Sequence, residues 1–171
     1  METVIVSLIC IALIVFGGMT MAQGFMTSVD ASTTGLEEMG QRDETLIRTL
    51  LTPFSATQPS ADKVEIILDN DGQTKLADFD KWDLIAHYYD GTGTYHIKWL
   101  PYTDGTLDDN EWEIAWIHLN GGAELFEPNV LNPGEQMMIR AQLNPPVGAN
   151  TTNLAVVATP SGITCSTYFS P

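Results

Sequence analysis

Three histidines, two cysteines and an excess of acids are the residues that could do chemistry in this 171-residue chain. His87, His96 and His118 stand singly, each on a stretch that reads as a strand, with no His or Cys at metal-ligand spacing. Cys10 lies in an apolar run and Cys165 near the C-terminus, which is neither a zinc spacing nor a disulfide framework. Cys10 reads as a small hydrophobe and Cys165 as half-buried in a strand. The acid pairs Asp108/Asp109 and Glu111/Glu113 have the residue type for general acid and base work. A chain with 22 acids produces such pairs by chance. No G-x-S-x-G, phosphate loop or dinucleotide fingerprint is present. The expectation is a protein that is not an enzyme, with no cofactor and no bound metal.

The acidic loops "DNDG" (69–72) and "TDGTLDDNE" (103–111) invite a calcium reading. An EF-hand loop needs Gly at its sixth position. Counting from Asp69 that position is Thr74, and from Asp104 it is Asp109, so both fail. A loose cation site stays open beside the plainer reading as solvated hairpin loops. Asn150-Thr151-Thr152 is an N-x-[ST] sequon after a loop signal, so Asn150 is a candidate glycan acceptor. The four tryptophans, Trp82, Trp99, Trp112 and Trp116, read as core residues, with ligand stacking second.

The elements around these residues divide into two kinds. "TVIVSLICIALIVFGGMTMAQGFMTSV" (3–29) has no charge and no proline. As a helix it spans about 40 Å, more than a bilayer's hydrocarbon core of about 30 Å. Nothing basic precedes it, and the first Lys or Arg is Arg42. The expectation is that a short basic leader was cut just before Met1. Beyond Asp30 the stripe Leu36, Met39, Leu46 and Leu50 continues the helical period until Pro53 stops it. One helix of about 75 Å is expected, apolar all round in its first half and amphipathic in its second. Gly18 and Ala22 have the spacing of a close helix-packing face, with Gly17 and Gly24 beside them.

After a polar stretch with Pro59, seven short apolar runs alternate with turn signals. The runs are 63–68, 82–89, 95–100, 111–119, 135–143, 154–159 and 163–169. "DGTGT", "NGGA", "NPGE" and "TPSG" are among the turns that separate them. In 111–119, Trp112, Ile114, Trp116 and His118 alternate against Glu113 and Ala115. The fold expected is α+β, a long N-terminal hydrophobic helix (1–52), a linker (53–62) and an antiparallel, immunoglobulin-like β-sandwich (63–171). From Pro53 onward 16 acids face 5 bases within a net charge of −15, so nucleic acid is excluded as a partner.

Three local patterns then act together. They are "NDGQTKLADFDKWDLIAHYYD" (70–90), "LNPGEQMMIRAQLNPP" (131–146) and the C-terminal "VVATPSGITCSTYFSP". Behind an N-terminal apolar helix, this set resembles the archaellins and the related archaellum stator proteins, in architecture over the whole chain and in motif over about a third of it. The Met-Glu start departs from the archaellin pattern. Glu2 is an echo of the acidic residue that type IV pilins carry at their fifth position. The resemblance implies a subunit of an archaellum filament, an extracellular helical homopolymer for swimming. Its precursor would sit in the membrane and would need a prepilin-type peptidase and an assembly ATPase and platform. Val4, Ile5, Leu8, Ile11, Leu13, Ile14, Val15, Phe16, Gly17, Gly18 and Phe25 would carry polymerisation. An adhesion pilin is one alternative. A membrane-anchored stator protein that binds the cell-surface layer is the other.

Overall fold

A computed structural model describes residues 2–119, 121–123 and 127–171. The chain forms two units, residues 1–43 and 44–171. The first is helical. Helix α1 runs Glu2–Arg48, and its apolar side chains are exposed along its length. Its hydroxyl residues turn back on the helix itself. Ser7 Oγ donates to the Thr3 carbonyl (2.8 Å), Thr20 Oγ1 to that of Gly17 (2.9 Å) and Thr27 Oγ1 to that of Gln23 (3.0 Å). Such bonds let Ser and Thr sit in an apolar helix without an unsatisfied donor.

The second unit is a sandwich of two antiparallel sheets. One has the order β1(Leu51–Ser60), β2(Lys63–Asn70), β7(Gln136–Gln142), β5(Trp112–Leu119), β6(Gly122–Ala123). The other has the order β4(Tyr95–Leu100), β3(Asp83–Tyr89), β8(Asn153–Ala158), β9(Thr164–Phe169). β1 also lies against β9, closing one side of the sandwich. The core between the sheets is built from Leu68, Leu84, Tyr88, Leu100, Trp112, Met137 and Ile139, all essentially without exposure. The sandwich and its seven expected strands are therefore present.

Three expectations are corrected. The supposed linker 53–62 is mostly strand. Residues 51–60 pair with β2 as an edge strand, and the register slips between Pro53 and Ser55 and between Thr57 and Ser60. Proline lacks the ladder donor, so it is tolerated at an edge and at irregularities. The helix stops at Arg48 rather than running on to Pro53 because the chain then turns directly into β1. The alternation in β5 breaks at a bulge, where the register slips between Ile114 and Trp116. One extra residue at Ala115 shifts the phase. Ile117 then packs on the core, while Trp116 and His118 share the outer side and stack at 4.2 Å.

Asn70 and Gly72 form the joint between the end of α1 and the sheet. Asn70 is fully buried, and its Nδ2 donates to the carbonyls of Thr74 (2.9 Å) and Leu131 (3.0 Å). Its Oδ1 accepts from Gly72 N–H at 3.2 Å. The Gln73 N–H donates to the Arg48 carbonyl at 2.7 Å. A Cβ on Gly72 would stand 2.5 Å from Leu50 N and 2.7 Å from Arg48 O, so only glycine lets the two backbones pass.

Candidate functional site

The residues singled out for chemistry scatter. His96 Nε2 pairs with Asp90 Oδ2 at 2.8 Å, His87 Nδ1 meets Tyr95 Oη at 3.0 Å, and His118 stacks on Trp116. Among the described residues no group of three or more His, Cys, Asp or Glu is placed to hold a metal ion. Two acids of the 103–111 loop are engaged with the chain itself. Asp109 accepts from Gln142 Nε2 (2.9 Å) and Asn144 Nδ2 (2.7 Å), and Glu111 Oε2 accepts from the Asp108 N–H (3.3 Å). An open cleft of about 450 Å³ lies beside the β5 bulge, walled by Tyr102, Asp104, Glu113 and Trp116 among others. Its lining holds neither Ser, Cys, His nor Lys, and Glu113 is already bound to Arg140. Asp90 takes three hydrogen bonds at Oδ1, from Thr92 N, Thr92 Oγ1 and Thr94 N. Those from Thr92, followed by His96, hold its carboxyl well below the usual carboxylate range. It is a loop organiser.

Cys165 is buried, and burial pushes its thiol up to about 11. The expectation of a half-buried residue is thus exceeded. Asn150 is exposed, with φ 59° in a turn, so its side chain is open to modification. Of the four tryptophans, Trp82 and Trp112 are core. Trp99 is 59 % exposed and Trp116 half-buried, so the reading of all four as core is half right.

What remains is surface, and it comes in two apolar pieces. The first is α1. Val4, Ile5, Leu8, Ile11, Leu13, Ile14, Val15, Phe16 and Phe25 are all more than half exposed. Nothing lies within 4 Å of a Cβ added at Gly17 or Gly18. The helix is long and apolar enough to cross a membrane by length and composition.

The second was missed from the sequence. On the outer side of the β4-β3-β8-β9 sheet, register places Trp99 beside Ile85, Ile85 beside Val156, and Val156 beside Ser166. The next row is Ile97, His87, Leu154 and Tyr168, and a third pairs Tyr95 with Tyr89. Ile97, Trp99 and Tyr168 are 62, 59 and 71 % exposed. The rings are held in place. Trp99 Nε1 donates to Asp83 Oδ1 at 2.7 Å, and the Tyr89 and Tyr95 rings lie 4.9 Å apart. Lys98 does not cover this face, because its Nζ donates to Asn110 Oδ1 (2.9 Å) and to the Asn144 carbonyl. The signal was available. In "WDLIAHYY" the second phase of the alternation still carries Ile85 and Tyr89 beside Asp83 and His87, which a strand with one wet face does not require.

No protein-family model matches the sequence, and no curated protein matches it. Solved structures do share the fold. One is the archaellum periplasmic stator protein FlaG from Sulfolobus acidocaldarius, at TM-score 0.53 and 23 % identity, over 71 % of this chain and 99 % of that one. Another is the archaellum periplasmic stator protein complex of FlaF and FlaG from the same organism. It matches at TM-score 0.52 and 23 % identity, over 70 % of this chain and 87 % of that one. This chain has the sandwich fold of those stator proteins. Neither neighbour is a filament subunit.

Proposed function

We propose that this chain is a membrane-anchored, stator-type component of an archaellum, with α1 in the membrane and the sandwich engaging the cell-surface layer. The observation that carries the reading is the likeness of fold to the two archaellum stator structures, which takes in nearly all of FlaG. An exposed apolar helix ahead of such a sandwich supports it, since a stator must be fixed at one end and grip at the other. The likeness supports the stator alternative better than the filament subunit. Self-polymerisation through residues 4–25, with an assembly ATPase, is accordingly not part of this reading. No reaction, cofactor or nucleic acid belongs to it. Asn150, exposed beside a turn, is the proposed glycan acceptor on the sandwich. An intact mass equal to the sequence mass of 18.7 kDa removes that part.

The test is to shear cells and fractionate them. A stator-type protein stays with the membrane, its deletion stops swimming, and its full chain in micelles sediments with isolated surface-layer sheets. Release of the chain in thin sheared filaments overturns the reading.

A further inference from the structure

We infer that the open edge of β5, beside its bulge, takes an extended basic segment of a partner protein. That segment pairs with Ile114 and lays a Lys or Arg side chain against Tyr102, Trp116 and the carboxylates of Asp104 and Glu113. The inference stands or falls independently of the archaellum reading. Its first support is the backbone. β7 pairs with one side of β5 from Trp112 to His118. On the other side the Trp112 N–H donates to the Pro101 carbonyl (3.0 Å), and its carbonyl accepts from the Thr103 N–H (2.8 Å). β6 covers His118 and Leu119 on that side. Backbone groups alternate in direction along a strand, so Ile114 turns its N–H and carbonyl the same way as Trp112. Among the described residues nothing pairs with Ile114 there. The bulge ends regular pairing at this point, and the cleft of about 450 Å³ opens beside it. A bare strand edge is a template for a further strand.

Its second support is the lining of that cleft. Asp104 is exposed and has no hydrogen-bond or ion-pair partner among the described residues. Glu113 meets Arg140 through Oε1 at 3.2 Å, which leaves Oε2 unengaged. Burial, then the charges of Asp104, Asp80 and Glu113, push the Tyr102 hydroxyl above its usual range, so three carboxylates act on one ring. His118 stacks on Trp116 and holds that ring in place. No Lys or Arg lines the cleft. An ammonium or guanidinium group set there meets both negative charge and aromatic rings. A long basic side chain also keeps its apolar stem against Ile114 and Ile117. A second copy of this chain, at −15, brings mostly like charge and is a poor occupant. A neutral saccharide would use the rings and leave both the charge and the strand edge unanswered.

The experiment titrates the full chain, in nonionic detergent micelles, into a dye-labelled, capped heptapeptide of alternating Thr and Val with Lys at its centre. Fluorescence anisotropy should show saturable binding with a Kd below about 0.5 mM. Glu in place of the peptide's Lys should weaken binding about tenfold or more. Asp104→Asn, an exposed change that the fold tolerates, should weaken it about threefold. Asp71→Asn, at an exposed acid outside the cleft, should leave it level. N-methylation of the peptide backbone on the side that faces β5 should abolish binding, because it removes the ladder donors. Three results overturn the inference. One is no binding at about 0.5 mM chain. Another is equal weakening by D104N and D71N, which assigns binding to overall charge. The third is undiminished binding of the N-methylated peptide, which takes the strand edge out of the contact. A chain that ignores the peptide while its tryptophan emission responds to a mannose oligomer, and loses that response in Trp116→Ala, likewise overturns it and gives the cleft to a saccharide.

Discussion

The two outer faces of the sandwich are made from the same kind of strand and differ in everything that faces water. On the β2-β7-β5 side, Arg140 Nε and Nη1 reach Glu65 (3.0 Å) and Glu113 (3.2 Å), and Ile67, Met138 and Trp116 form one row between polar ones. On the β4-β3-β8 side the rows are mainly aliphatic and aromatic around His87, with Asp83 at the margin, and no ion pair crosses them among the described residues. The inner faces are equally apolar, so core formation does not account for the difference. A face that need only be soluble is closed by charge pairs. A face left apolar at the cost of solubility has a use outside the fold.

Stability measurements can break that distinction. The full chain would be unfolded by urea, with tryptophan emission reporting the sandwich. The largest contrast is expected between neighbours on β3. Tyr88→Ala empties a fully buried site and should cost about 3–5 kcal/mol. Tyr89→Ala, one residue on and facing out, should cost about 1 kcal/mol or less. Similar costs for both would mean the outer face is structural, and its meaning as a contact surface would be lost. Next comes Arg140→Leu, which leaves Glu65 and Glu113 facing each other's charge. A loss of about 1 kcal/mol is expected, shrinking in high salt because the pairs are partly exposed. Trp99→Ser on the apolar face should show no such salt dependence.

A smaller effect is expected at Asp90. Its folded carboxyl titrates below the usual 3.8, so its contribution to stability is complete above about pH 4 and is lost as pH falls below that. Asp90→Asn should therefore flatten the acid limb of the stability curve, and an unchanged limb would remove Asp90 as its cause. The smallest is Tyr88→Phe. The Tyr88 hydroxyl is buried with no hydrogen-bond partner among the described residues, and burial, then Asp90, pushes its pKa up to about 12. Deleting it should leave stability level or raise it by up to about 1 kcal/mol. A clear loss would mean the hydroxyl has a partner, such as buried water.

Periodicity made most of the fold legible. The apolar helix, the seven main strands and the buried alternation in β2, β3, β7 and β8 all follow from residue types. β1 was hidden because "LTPFSATQPS" has two prolines and little apolar content, and its strand state comes from pairing with β2 rather than from its own preference. The phase of Trp116 was misread because a bulge inserts a residue without leaving a mark in the pattern. The exposed apolar surface of α1 was plain, since an uncharged run of that length is long enough to cross a bilayer. The aromatic face was harder. Trp99 and Tyr168 look like core residues until pairing shows that the inward phase is already filled by Leu84, Leu100, Val157 and Phe169. Function was least legible, because the resemblance spans both filament subunits and stators and neither reading rests on a catalytic motif.

The joint at Asn70 and Gly72 has a mechanical meaning. Chain connectivity would bring any pull on α1, the anchor proposed above, into the sandwich at residues 48–51. There it meets the Gln73-to-Arg48 hydrogen bond, buried Thr49 and the first pairs of β1 with β2. Those bonds work as a fuse in series ahead of the core. Under load they would yield first, lengthening the tether while Trp112 and its neighbours stay packed. A bulkier residue at position 72 would weaken the fuse without touching the anchor or the sheets.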